Sequence, residues 1–232
     1  MKKLMMLMLL AFSMASCDND PVKKNEPATG NEARPADDRD KWQRPDALLA
    51  VMGDLHGRTV ADLFAGDGYF TFQLIEAGAN VIAIVSDPNE ARALQDRKAE
   101  AGLDDQRLQI RSVNGPEPGL NAGEADVALI VHSYAKIPDR MAYLVKLREG
   151  LKDPKQLFLV EWQKRPTPMG PPLEQRMATD QMMEELGMAG FSGVGARADN
   201  MPYQVVLIAM DQAEITEEEY QRQMEGKHAH PI

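Results

Sequence analysis

The chain has 232 residues, of which 44% are hydrophobic, and a formal net charge of −10 at neutral pH. This length is sufficient for one domain with a buried core. Because an acidic protein does not attract phosphates, we predict that it has no nucleic-acid partner. Cys17 is the single cysteine, which excludes an intramolecular disulfide and a cysteine-based zinc site. No other metal cluster is predicted.

Residues 1–16 predict a secretory leader. Two lysines are followed by an apolar stretch at 4–12 that is too short to span a bilayer, and small residues precede Cys17. This order resembles the lipobox of bacterial lipoproteins, although Met14 replaces the usual leucine. We therefore expect lipidation of Cys17 and anchoring to a membrane of the bacterial cell envelope, on a periplasmic or surface-facing side. A plain secretory signal is the alternative.

The remaining chain divides by composition. Residues 17–40 are rich in charged residues, proline and alanine and predict a disordered linker after the lipidated cysteine. Residues 41–211 form the predicted domain. Residues 212–232 are polar and predict a tail.

The domain alternates short apolar runs with amphipathic segments. The apolar runs predict strands at Thr59–Phe64, Val81–Val85, Leu108–Val113, Ala125–Val131, Gln156–Trp162 and Tyr203–Met210. Helices are predicted at Tyr69–Ala77, Asn89–Ala101, Arg140–Leu151 and Thr179–Leu186. This order predicts a doubly wound, Rossmann-like α/β fold with a mostly parallel sheet. A turn at Asp199–Pro202 joins Ser192–Ala198 to the last strand, which predicts a C-terminal antiparallel hairpin.

A glycine turn, Asp62–Gly68 (DLFAGDG), lies between the first predicted strand and the following helix. In this position a glycine turn brings backbone N–H groups and a helix N-terminus close to a ligand. Dinucleotide binding is disfavoured, because Thr71 stands where the third glycine of that fingerprint belongs.

The sequence DLFAGDGYF at Asp62–Phe70 resembles the cofactor motif of class I S-adenosylmethionine-dependent methyltransferases. Further landmarks are similar to an exported or lipoprotein group of such proteins: DKWQRPD at 40–46, HSYAKIPDR at 132–140 and PMGPP at 168–172. The resemblance covers about residues 40–210. It implies binding of S-adenosylmethionine and methyl transfer to an unidentified small-molecule or protein acceptor.

The resemblance also implies roles for individual residues. The cofactor-binding candidates are Asp62, Phe64, Ala65, Gly66, Asp67, Gly68, Asp87 and Asn114, the last in place of an aspartate that contacts adenine. His132 is the candidate catalytic residue, and Trp42, Tyr69 and Tyr134 are candidates to wall the pocket.

The sequence departs from the family pattern at two places. Phe64 replaces the first glycine of the motif, so its ring either fills cofactor space or packs into the core. Val85 occupies the position of the acid that binds the ribose, and loss of such a partner costs about 1.5–3 kcal/mol. Asp87 can replace that acid only if its loop bends back. The alternative hypothesis is therefore a methyltransferase-fold lipoprotein impaired in cofactor binding, which acts as a binding or structural module of the cell envelope.

Overall fold

The computed structural model describes residues 36–211, with side chains from Arg39 onward. The predicted leader, the lipidation site Cys17, most of the predicted linker and the tail lie outside the described residues. Within them no helix is long and apolar enough to cross a membrane.

Residues 36–211 contain seven strands and six α-helices. The strands are β1 (Thr59–Leu63), β2 (Asn80–Val85), β3 (Leu108–Ser112), β4 (Ala125–Val131), β5 (Leu151–Trp162), β6 (Gly193–Arg197) and β7 (Gln204–Met210). The helices are α1 (Ala36–Gln43), α2 (Pro45–Met52), α3 (Tyr69–Glu76), α4 (Pro88–Glu100), α5 (Arg140–Gly150) and α6 (Thr179–Met188). Two short 3₁₀ turns occur at Tyr134–Lys136 and Leu173–Gln175.

The strands form one sheet in the order β3-β2-β1-β4-β5-β7-β6. Strands β1 to β5 are parallel, whereas β7 pairs antiparallel with both β5 and β6. The predicted fold class and the terminal hairpin are therefore confirmed. The strand order reverses between β1 and β4, and ligands of open α/β sheets bind at the carboxyl ends of strands at such a point.

Apolar side chains cover both faces of the sheet. Helices α2, α3 and α4 pack on one face through residues such as Leu48, Leu74 and Leu94, and α5 and α6 pack on the other through residues such as Leu144 and Leu186. Burial on both faces explains why the parallel strands read as continuous apolar runs in the sequence.

Three elements differ from the sequence prediction. Helix α1 begins at Ala36, inside the segment assigned to the linker, and α2 was not predicted because its eight residues are too few for a clear periodicity. Strand β5 begins at Leu151 rather than Gln156, because its first residues pair with β4 across a shift in register.

Candidate functional site

The glycine turn connects β1 to α3 at the carboxyl edge of the sheet. Its backbone is left-handed at Phe64 (φ 59°), Gly66 (φ 55°) and Gly68 (φ 76°). Gly68 also allows close packing, since a Cβ there would lie 2.3 Å from Leu94 Cδ2. A Cβ at Gly66 would meet nothing closer than Glu90 Oε1 at 3.8 Å. Gly68 is therefore required for packing of the core, whereas a Cβ at Gly66 would make only ordinary van der Waals contacts.

Phe64 keeps the backbone conformation that glycine adopts most easily, although its side chain is large. Its ring lies 5.7 Å from the ring of Tyr143 on α5 and also lines a cavity beside the turn. The ring therefore packs against the core, which is one of the two outcomes considered from the sequence, and it also limits the space beside the turn.

Asp62 is directed into the protein. Its carboxyl is 3% exposed and accepts a hydrogen bond of 2.6 Å from the hydroxyl of Thr71 on α3. Burial raises the pKa of Asp62 to about 7. Of the two roles open to Asp62, contact with a ligand or ordering of the turn, the structure shows the second. Thr71, which replaces the third glycine of a dinucleotide fingerprint, is the partner that makes this possible.

The last residue of β2, Val85, carries no carboxylate. Val85 is 1% exposed, and the Asp87 side chain accepts a hydrogen bond of 2.8 Å from the Asn89 N–H as the N-cap of α4. Asp87 therefore serves its own helix. A further acid, Glu90, lies on the first turn of α4 beside Gly66, although no motif in the sequence marks it.

Asp67 lies at the tip of the turn and is held from two sides. Its carboxylate pairs with Arg39 of α1 and accepts the Tyr69 N–H at 3.1 Å. Its carbonyl accepts a hydrogen bond of 2.5 Å from Arg97 of α4. Asp67 therefore fixes the turn between two helices.

A cavity of about 260 Å³ opens beside the turn at the point where the strand order reverses. Loops after β1, β2, β3 and β4 all contribute to it, through Phe64, Ser86, Gly115, Pro116, Ser133, Lys136, Ile137 and Pro138. Its size lies just below the range usual for small-ligand sites. Of the predicted cofactor residues only Phe64 lines this cavity. Asn114 is exposed beside it, next to Gly115.

His132 follows β4 and has a left-handed backbone (φ 54°). Its ring stacks with Trp162 at 4.6 Å and with Trp42 at 5.8 Å, and the two indoles lie 5.2 Å apart. Burial lowers the pKa of His132 to about 3, and its Nε2 has no partner among the described residues. The imidazole is therefore unprotonated at physiological pH, but so low a pKa makes it a weak base, and its ring is packed against two indoles. Neither property suits a general base.

The predicted wall residues have different positions. Trp42 packs in the aromatic stack, and Tyr69 lies under the Arg39 guanidinium at 3.9 Å. Tyr134 is fully buried and donates a hydrogen bond of 2.6 Å to Glu185 of α6. The prediction that Tyr134 walls the pocket is wrong, because the 3₁₀ turn at 134–136 directs its side chain into the core.

The segment after β5, which contains the PMGPP sequence, is organised by Arg176. This buried guanidinium donates to the carbonyls of Gln163, Arg165, Met169 and Pro171 and to the Thr167 hydroxyl. The PMGPP sequence therefore belongs to a loop beside Trp162 whose backbone is held in place by hydrogen bonds from Arg176. Among the described residues, no group of His, Cys, Asp and Glu could hold a metal ion.

No protein-family model matches the chain. Over 99 residues the chain is 29% identical to an uncharacterised methyltransferase of Mycobacteroides abscessus. That match covers 43% of this chain and 36% of the relative, so it spans about a third of the relative's length.

Solved structures are similar over most of the domain. A methyltransferase from Aquifex aeolicus that depends on S-adenosylmethionine (SAM) has a TM-score of 0.68 at 20% identity, covering 75% of this chain and 93% of that one. Magnesium protoporphyrin IX methyltransferase from Synechocystis, solved with bound SAM, has a TM-score of 0.56 at 21% identity, covering 73% and 79%. The [4+2]-cyclase SpnF has a TM-score of 0.61 at 16% identity, covering 74% and 80%, so the fold alone does not dictate the reaction. The chain has the Rossmann-like fold of class I SAM-dependent methyltransferases.

Proposed function

We propose that this protein transfers a methyl group from S-adenosylmethionine to an acceptor. The observation that carries the proposal is the glycine turn, whose left-handed backbone at residues 64, 66 and 68 stands at the reversal of strand order beside the cavity. The methyltransferases of similar fold and the curated relative support the same reaction.

The residues at the turn fit the cofactor in part. Among residues 36–211 the Gly66 amide N–H has no hydrogen-bond partner, so it is available to a ligand. Ser86 and Ser133 bring hydroxyl groups to the cavity lining. Val85 supplies no acceptor for ribose hydroxyls, so we expect weaker binding than a carboxylate there would give. When bound, the cofactor supplies a methyl group that its sulfonium already activates.

The protein's own contribution is then alignment of donor and acceptor and exclusion of water. Phe64 and Ile137 give the cavity apolar walls, and Lys136 brings a positive charge to its rim. His132 stays neutral and precedes Ser133 in the chain, but it does not line the cavity. The acceptor is a small molecule or a protein.

The experiment is isothermal titration calorimetry of the full chain with S-adenosylhomocysteine, the demethylated form of the cofactor. We expect saturable binding with one site. Absence of heat at millimolar ligand would refute the proposal and favour the alternative, a cell-envelope binding module that retains only the fold. Phe64 and Val85 motivate that alternative, which the comparisons do not favour.

We further propose that the protein is lipid-anchored through Cys17 in the bacterial cell envelope, on the basis of the leader residues alone. Metabolic labelling with a clickable fatty acid tests this, with Cys17→Ser as the control. Equal labelling of the two proteins would contradict the proposal.

A further inference from the structure

Helix α1 contacts the glycine turn directly. The Arg39 guanidinium lies between the Asp67 carboxylate, with which it pairs, and the Tyr69 ring, whose centroid is 3.9 Å away. Asp40 accepts a hydrogen bond from the Tyr69 hydroxyl. Two successive residues of α1 therefore hold the turn and the first residue of α3.

The same helix is joined to the sheet by its next residues. Trp42 stacks with His132 and Trp162, which follow and end the parallel strands β4 and β5. Its carbonyl accepts a hydrogen bond of 2.5 Å from the buried Gln204 amide of β7. Helix α1 thus connects the glycine turn to the ends of three other strands.

The contacts at the sheet leave polar atoms without partners. The buried atoms Trp42 Nε1, His132 Nε2 and Gln204 Oε1 make no hydrogen bond among the described residues. The docking of α1 therefore combines a favourable aromatic stack with buried polar atoms that lack partners, which is unfavourable.

We propose that α1 positions the cofactor turn, so that docking of α1 and binding of the cofactor are thermodynamically coupled. Arg39 is the positioning residue on the turn, and Trp42 holds α1 on the sheet. A ligand that needs the turn in its ordered form favours the docked helix, and by linkage the docked helix favours the ligand by the same factor. This inference rests on the proposed function, because the coupled ligand is S-adenosylhomocysteine in the test.

The docking of α1 can be followed by the fluorescence of the protein's own tryptophans. It has two tryptophans, and both lie in the stack. In a Trp162→Phe background, which keeps an aromatic ring in the stack, Trp42 is the single tryptophan. Quenching of its fluorescence by acrylamide then measures how often α1 leaves the sheet.

The experiment combines quenching with calorimetry on the full chain. We expect saturating S-adenosylhomocysteine to lower the quenching of Trp42. Arg39→Gln should raise quenching in the free protein and weaken ligand binding about two- to fivefold, the range for a partly exposed ion pair. Arg39→Lys, which keeps the charge, should restore part of the affinity.

Arg97→Gln is the matched control. Arg97 also holds Asp67, but from α4 and through the Asp67 carbonyl, and no hydrogen bond from Arg97 to α1 occurs among the described residues. Arg97→Gln should weaken ligand binding, but it should raise the quenching of Trp42 in the free protein less than Arg39→Gln does. Trp42→Leu in the native background should weaken binding about three- to tenfold, because it removes the stacking interactions.

Three results would overturn the inference. One is ligand binding that leaves Trp42 quenching unchanged, and another is unaltered affinity in both Arg39→Gln and Trp42→Leu. These two results leave the proposed function standing. The third result is that the native chain does not bind S-adenosylhomocysteine. This result overturns the proposed function as well, and calorimetry of the native chain alone is enough to recognise it.

Discussion

Replacement of Phe64 by glycine and by alanine separates two effects of this residue. Both variants remove the ring, but only glycine removes the Cβ from a backbone with φ of 59°. A Cβ in left-handed conformation costs about 1–2 kcal/mol. Glycine normally destabilises by about 0.5–1 kcal/mol relative to alanine. The difference predicts that Phe64→Gly is more stable than Phe64→Ala by up to about 1.5 kcal/mol, which reverses the usual order.

Both variants should be less stable than the native protein. The Phe64 ring is half-buried and stacks on Tyr143, so its loss costs less than the ~3–5 kcal/mol of a fully buried phenylalanine. The assay is thermal unfolding followed by circular dichroism. A stability difference of 1 kcal/mol should appear as a shift of about 2–4 °C in Tm for a domain of this size.

The same two variants test the role of the ring in the cavity. Since the ring lines the cavity beside the turn, its removal enlarges the space for the cofactor. We expect calorimetry to show tighter S-adenosylhomocysteine binding in both variants. An alanine variant more stable than the glycine variant would refute the left-handed backbone. Unchanged affinity in both would refute the claim that the ring limits cofactor space.

Three further predictions concern charge. Val85→Asp should tighten S-adenosylhomocysteine binding about tenfold by calorimetry. It should also destabilise the free protein in urea, because it buries a carboxylate. Val85→Asn is the uncharged control, and equal affinities of the two variants would contradict the prediction. Because the pKa of Asp62 is raised, native stability should fall as pH rises from about 4 to 7. Asp62→Asn should make the free energy of unfolding less dependent on pH. If the variant and the native protein had the same pH profile, the prediction would be refuted. Glu185→Gln should destabilise the protein by about 1–3 kcal/mol at pH 7, because it weakens the bonds from Tyr134 and Arg140. Arg140 lowers the pKa of Glu185 to about 2. The difference in stability between the native protein and Glu185→Gln should therefore shrink as pH falls from about 4.5 to 2, and a constant difference would contradict this role of Glu185.

The fold could be predicted because its signals are local. Continuous apolar runs such as Val81–Val85 and Leu157–Val160 are buried on both faces, and Asp199–Pro202 carries turn residues between two strands. Each of these patterns is contained within a few residues. Helix α1 lacked such a signal, since its stability comes from contacts with residues far along the chain.

The site was predicted less completely because side-chain direction depends on the backbone. The sequence indicated that Asp62 and His132 lie at strand ends, and both do. It did not reveal that Asp62 faces Thr71 or that a left-handed backbone turns His132 toward two indoles. The residues Arg39, Glu90 and Arg97 around the turn are ordinary surface charges in the sequence, and only their long-range contacts distinguish them.

The structural roles of residues in and beside the glycine turn have an evolutionary consequence. Asp62 and Thr71 bond to each other, and Gly68 makes room for Leu94. Selection for folding alone is sufficient to preserve these three positions in descendants that have abandoned catalysis. Gly66 has no such structural role apart from its left-handed backbone conformation. Among homologues, drift at Gly66 while the other three stay constant would therefore mark lineages in which the ligand is no longer under selection.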